Sequence, residues 1–135
     1  KKKKIVFIER ERLKKISDIS QNIDYLYKNK INYQAELLIW KKSNREAALE
    51  NLIKLEDYLI SLTETDFNKI EKLENNISSW IKKNNYGVGD MLWPMRVALS
   101  GQKNSPGPFE IAWVLGKEKT LQRINQAQEK LKVLK

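Results

Sequence analysis

Gly87-Val-Gly-Asp-Met-Leu-Trp-Pro-Met-Arg96-Val-Ala-Leu-Ser-Gly101 is followed by Ser105-Pro-Gly-Pro-Phe-Glu-Ile111 and then by Val114-Leu-Gly-Lys-Glu118. The punctuation of this stretch predicts helix, loop and helix. Gly89 and Asp90 open a short helix that runs through Leu99, and Gly101 follows it. Residues 102–108 read as a loop. Pro108 suits the first turn of the next helix, where its missing N–H costs nothing. Gly116 suits the end of that helix, because glycine tolerates the left-handed conformation found there. Pro94 is the awkward residue: inside a helix it removes a donor and clashes one turn back. The helix is therefore expected to start late enough for Pro94 to fall in its first turn.

The same helical period extends upstream and downstream. Ile5, Ile8, Leu13, Ile16, Ile19, Ile23 and Leu26 recur at three- to five-residue spacing and predict helices near 5–16 and 18–28. A polar connection follows over 29–32. Leu37, Leu38, Ile39 and Trp40 then read as a short, inward-packed segment. Ser43-Asn44-Arg45-Glu46 fits a capping box, with the serine hydroxyl and the glutamate satisfying free N–H groups at a helix start. The helix behind it reaches about Leu62, with Ala47, Leu49, Leu52, Ile53, Leu55, Leu59 and Ile60 as its apolar stripe. Thr63 to Asp66 break and recap the chain before a helix over 67–83. A charged helix over 117–134 closes the chain, its basic side chains read as a solvated face. The four tryptophans, Trp40, Trp80, Trp93 and Trp113, share faces with aliphatic neighbours and read as core fillers. The expected class is all-α, in two packed lobes over 1–66 and 67–135.

Composition narrows the chemistry. The 135 residues are 41% hydrophobic and 32% charged, which suits a globular protein. No run approaches the length of a membrane span, and no signal peptide is legible. Lys1 to Lys4 read as the cut end of a longer chain. There is no cysteine and no histidine, which removes disulfides, thiol nucleophiles, histidine triads and the usual zinc sites. The carboxylates lie on lysine-rich helical segments, as a solvated face would. No catalytic residue and no metal site is expected.

The net charge of +9 is unevenly spread: +7 over 1–42, −4 over 43–80 and +6 over 81–135. Two basic regions flanking an acidic middle suggest a polyanion held by the two ends. A lysine-rich composition that only keeps the chain soluble accounts for the charge equally well.

Order, spacing and composition over residues 87–118 together resemble the C-terminal signature of bacterial glutamyl-tRNA synthetases. That signature has a helix with Pro-x-Arg-x-Ala-Leu-Thr/Ser-Gly, a loop Ser/Thr-Pro-Gly-x-Phe-Glu-Ile, then Val-Leu-Gly-Lys-Glu. Upstream, Glu11-Arg12-Leu-Lys-Lys-Ile-Ser17 and Leu37-Leu-Ile-Trp40-Lys-Lys resemble the same family more loosely. The resemblance implies an all-helical anticodon-binding domain that acts as a monomer in the cytoplasm and binds the anticodon loop of glutamate tRNA. ATP and magnesium would serve only the catalytic domain of the parent glutamate–tRNA ligase. The motifs of that domain are missing here, so the chain alone is expected to be inactive.

Carried over by motif, Arg96 and the loop Ser105, Pro106, Gly107, Pro108 and Phe109 would read anticodon bases. Arg12 would stand near the third base, where it favours strict glutamate specificity. The chemistry suits the role. An anticodon is single-stranded, so its bases can be splayed and read on their edges while phosphates supply affinity. The loop offers stiff turns, a glycine, a hydroxyl and an aromatic ring at a helix N-terminus, and arginine offers a forked donor. Read without the family, the loop is a connector with Phe109 in the core, and Arg96 and Arg12 are surface ion-pair residues. Two other classes remain open: a generic basic helical domain that binds duplex nucleic acid, and a helical protein-interaction adaptor. The first would show a helix-turn-helix with an exposed polar recognition helix, and none is legible. The second would show an exposed apolar groove.

Overall fold

A computed structural model describes residues 31–41, 43–102 and 107–134. The expected helices near 5–16 and 18–28 lie outside these residues. Among the described residues the fold is all-α, with four α-helices and no strand: α1 (Arg45–Ser61), α2 (Ile70–Lys83), α3 (Val88–Ser100) and α4 (Pro108–Lys132). Short 3-10 turns occupy Ala35–Leu38 and Glu64–Phe67.

The start of α1 falls one residue later than the capping box suggested. Asn44 is the cap and accepts from the Ala47 N–H at 2.8 Å, while the Glu46 carboxylate pairs with its neighbour Arg45 at 3.0 Å. Asparagine is among the strongest N-caps, so it takes the place that serine would otherwise fill. The buried stripe is also narrower than expected. Ala48, Leu52, Leu55 and Leu59 are buried, whereas Ile53 and Ile60 are exposed. At 100° per residue, Ile53 and Ile60 stand roughly 120° around the helix from that stripe. Each fully buried leucine contributes roughly 1.5–3 kcal/mol.

The recap after α1 is a true capping box. The Thr63 hydroxyl accepts from the Asp66 N–H, and the Asp66 carboxylate accepts from the Thr63 N–H at 2.8 Å. It caps a 3-10 turn that buries Phe67, and α2 starts three residues after that phenylalanine, at Ile70. Leu73, Ile77 and Ile81 form the buried edge of α2.

In α3 nearly every residue from Met91 on is buried or half-buried, as befits a central helix. It packs against both α1 and α4. Pro94 is the seventh residue of α3 and not part of its first turn. In a regular helix the N–H at position 94 would serve the Asp90 carbonyl, which proline cannot do. The Asn51 side-chain amide on α1 donates to that carbonyl instead, at 3.2 Å.

Helix α4 carries a break where the glycine predicted it: Gly116 has φ 83° and ψ 171°. Beyond it, the charged C-terminal segment is not simply solvated. Thr120, Arg123, Ile124, Ala127, Gln128 and Leu131 are all buried. Gln128 donates to the Leu52 carbonyl at 3.3 Å, and Arg45 donates to the Leu131 carbonyl at 3.1 Å. The hydrophobic core is one cluster running from Ile31 to Leu131.

The tryptophans sit at the margin of that core. All four are half-buried. An indole N–H needs an acceptor, and that requirement holds two of the rings at the edge. Trp93 donates to the Leu37 carbonyl at 2.9 Å and Trp113 to the Asn68 carbonyl at 3.0 Å. Trp80 stacks on Tyr58 with centroids 4.8 Å apart.

Candidate nucleic-acid interface

Arg96 lies in the last turn and a half of α3, and that helix end is held from several sides. Gly101 adopts φ 71°, and its N–H returns to the Val97 carbonyl. The Ser100 hydroxyl donates to the Arg96 carbonyl at 2.8 Å and accepts from the Gln102 N–H at 3.1 Å. The guanidinium of Arg123, fully buried, donates to the Leu99 carbonyl. The Leu99 carbonyl, one of the last four of α3 and without a helical partner of its own, is thereby satisfied. The Arg96 side chain is half-buried, and its guanidinium makes no ion pair or hydrogen bond with another described residue.

Beyond Gln102 the described chain resumes at Gly107, which leads into α4. Pro108 is its first helical residue and is buried, and the Ile111 N–H returns to the Gly107 carbonyl at 3.1 Å. Phe109 is half-buried against the core and anchors the loop exit. Gly107 has φ −59°, and a Cβ placed there would meet nothing within 4 Å. The fold itself therefore makes no demand for glycine at this position. Ser105, Pro106 and Arg12 lie outside the described residues. Arg96 thus sits near a pinned helix C-terminus, and Gly107, Pro108 and Phe109 stand at the next helix N-terminus.

Two features escaped the sequence reading. Arg123 looks like one more surface charge, yet it shares the Ala127 and Leu131 stripe at four-residue spacing, and that was the available signal. Its charge also opposes a shift at Tyr33, whose phenol is pushed up chiefly by burial. The second is Lys117, from the Val-Leu-Gly-Lys-Glu motif. Its ammonium donates to the Ile60 carbonyl at 3.0 Å and to the Leu62 carbonyl, closing the end of α1. That part of the motif ties α4 to α1.

Among the described residues no group of three or more potential ligands is placed to hold a metal ion. No helix among them is long and apolar enough to cross a membrane. The acidic residues of the middle segment ride largely on α1 and α2, whereas Arg96, Lys117, Lys119, Arg123, Lys130 and Lys132 ride on α3 and α4.

Among the described residues, an all-helical core carries Arg96 near one helix C-terminus and Gly107–Pro108 at the next helix N-terminus, an arrangement compatible with a helical RNA-binding module. The family model described as "Anticodon binding domain" matches residues 2–128, and the chain belongs to that family. It is similar to the glutamate–tRNA ligase of Clostridium botulinum strain Eklund 17B, with 38% identity over 120 residues, 87% of this chain and 24% of that protein. The glutamate–tRNA ligase of Clostridium botulinum strain Hall is 35% identical over 134 residues, 98% of this chain and 27% of its own length. That of Clostridium tetani strain Massachusetts is 38% identical over 120 residues, covering the same 87% and 24%. The chain therefore spans about a quarter of the length of the curated relatives it matches.

Proposed function

We propose that this chain binds the anticodon stem-loop of glutamate tRNA, as the C-terminal part of a glutamate–tRNA ligase, and so presents the right tRNA for charging. The observation that carries the reading is the guanidinium of Arg96, without an ion pair or hydrogen bond among the described residues, on a helix end pinned by Ser100 and Arg123 and shortly before Gly107 opens the next helix. Arginine delivers a planar, pre-organised fork, so less side-chain freedom is lost per hydrogen bond formed. The free N–H groups at the start of α4 favour phosphate oxygens or base acceptors. Ser105, Pro106, Gly107, Pro108 and Phe109 complete the reading surface, and Arg12 stands near the third anticodon base.

In this reading the lobes over 1–66 and 67–135 act as one monomeric binding unit in the cytoplasm. ATP and magnesium belong to the catalytic part of such an enzyme.

The test is a filter-binding panel with the 135-residue chain: glutamate tRNA, glutamine tRNA, an unrelated tRNA and duplex DNA, each across a salt series. Each neutralised phosphate contributes a slope of roughly −0.7 to −0.9 in log K against log salt, so contacts from both basic regions give several units. Glutamate tRNA should bind tightest. Equal affinity for duplex DNA would point to a generic basic module, and no salt-sensitive binding of any nucleic acid would point to a protein adaptor.

A further inference from the structure

A cleft of about 760 Å³ opens alongside α3, between the segment over 32–41, Trp93 in mid-helix and the Gly101 cap. Tyr33, Gln34, Glu36, Trp40, Trp93 and Gly101 are among its lining residues. Its volume falls in the range of small-molecule sites, roughly 300–1,000 Å³, and holds a nucleoside. Its rings are held in place. The Trp93 N–H is committed to the Leu37 carbonyl. Lys130 donates to the Tyr33 carbonyl at 3.0 Å and lies 4.6 Å from the centre of that ring. The Trp40 indole rests on Gly89 so closely that a Cβ there would come within 2.5 Å of it. Glycine at 89 is thus what lets this indole lie against α3, yet Trp40 is not part of the core cluster. Gln34 and Glu36 are exposed and add an amide and a carboxylate to the rim, and Lys41 lies 5.2 Å from the Trp40 ring centre.

We infer that this cleft receives one unstacked nucleobase of the bound tRNA, seated against the Trp40–Trp93–Tyr33 walls and next to the bases read from Arg96. The inference rests on the tRNA-binding reading above. Bases splayed from a loop stack on aromatic faces and offer their edges to side chains. Preformed aromatic walls with an amide, a carboxylate and an ammonium at the rim supply both kinds of contact. Gly101 connects the two places: it lines the cleft and also ends the helix that carries Arg96. The Glu36 carboxylate can only accept when ionised, so it favours a base that presents an amino group.

The experiment uses the 135-residue chain and glutamate tRNAs that each carry 5-iodocytidine at one anticodon-loop position. Irradiation followed by peptide mapping locates the stacked ring. One loop position should crosslink to Trp40, Trp93 or Tyr33. Trp40→Leu should abolish a crosslink at Trp40, or weaken one at its neighbours, and raise Kd about 5- to 150-fold, as loss of one base stack does. Glu36→Gln, at an exposed position, tests the rim without touching the packing and should also weaken binding. If Arg96→Ala weakens binding while every crosslink falls elsewhere and neither cleft variant changes Kd, the cleft assignment is wrong and the anticodon-binding reading stands. If the unchanged chain does not bind tRNA, both fail together. Circular dichroism identifies a Trp40→Leu that has lost its fold, and the crosslink map with Glu36→Gln then decides.

Discussion

The side-chain amide of Asn51 donates to the backbone carbonyl of Asp90, the carbonyl that Pro94 leaves without its helical partner. A residue on α1 thus repairs a defect in α3 that lies 39 positions away in sequence. Asn51→Ala should therefore destabilise the chain by about 1–3 kcal/mol, since an orphaned carbonyl costs its full desolvation. Pro94→Ala restores the missing N–H, so in that background Asn51→Ala should cost clearly less. Urea unfolding of the two single variants and the double variant measures the coupling. Strictly additive losses would mean that the two residues stabilise the fold independently.

Three glycines should respond differently to alanine. Gly107→Ala should leave stability unchanged, because its φ is ordinary and its Cβ position is open. Gly116→Ala forces a side chain onto φ 83° in otherwise open space, at a cost of about 1–2 kcal/mol. Gly101→Ala adds crowding to strain, because its Cβ would lie 3.1 Å from the Tyr33 ring. Thermal melts should rank the losses Gly101, then Gly116, then Gly107. If Gly107→Ala nonetheless weakens tRNA binding, the open space there belongs to the ligand.

Arg96→Ala should weaken tRNA binding by about 1–3 kcal/mol if its fork reads a base edge. Lys132 is an exposed residue paired with Glu129 at 3.2 Å, and Lys132→Ala should change affinity little at moderate salt. Equal effects of the two substitutions, with helicity unchanged, would remove Arg96 from the readers.

Asp66 gives the chain an acid limb. The Thr63 N–H, first, and the Lys72 ammonium hold its carboxyl below the ordinary carboxylate value. A depressed folded value contributes stability that is fully present above the unfolded pKa of about 3.9 and is lost as pH falls through the folded one. Asp66→Asn should therefore be less stable at neutral pH and lose less between pH 5 and pH 2. Parallel stability curves for the two proteins over that range would show that other carboxylates set the acid limb.

Arg12→Gln tests discrimination. Glutamate and glutamine tRNAs differ at the third anticodon base, cytosine against guanine. An arginine there can favour the cytosine carbonyl and exclude the bulkier purine. In the ligase proposed as the parent of this chain, the substitution should raise charging of glutamine tRNA relative to glutamate tRNA. An unchanged ratio would leave Arg12 as a surface residue.

The helical class, the break at Gly116, the recap at Thr63 and the stretch that carries family membership are all legible in the order of the residues. These depend on local chemistry: apolar period, side-chain capping, and the φ values that glycine alone takes easily. The interior place of Pro94, the burial of Arg123, the exposure of Ile53 and Ile60, and the edge positions of the tryptophans were decided only by tertiary structure. Pro94, Arg123 and Trp93 each depend on a partner distant in sequence. Asn51 makes Pro94 tolerable in mid-helix, and the Leu99 carbonyl gives Arg123 a reason to be inside. The Leu37 carbonyl holds Trp93 at the rim. Periodicity ranks residues by hydrophobicity along one helix, but it carries no information about which backbone carbonyls another helix leaves unpaired.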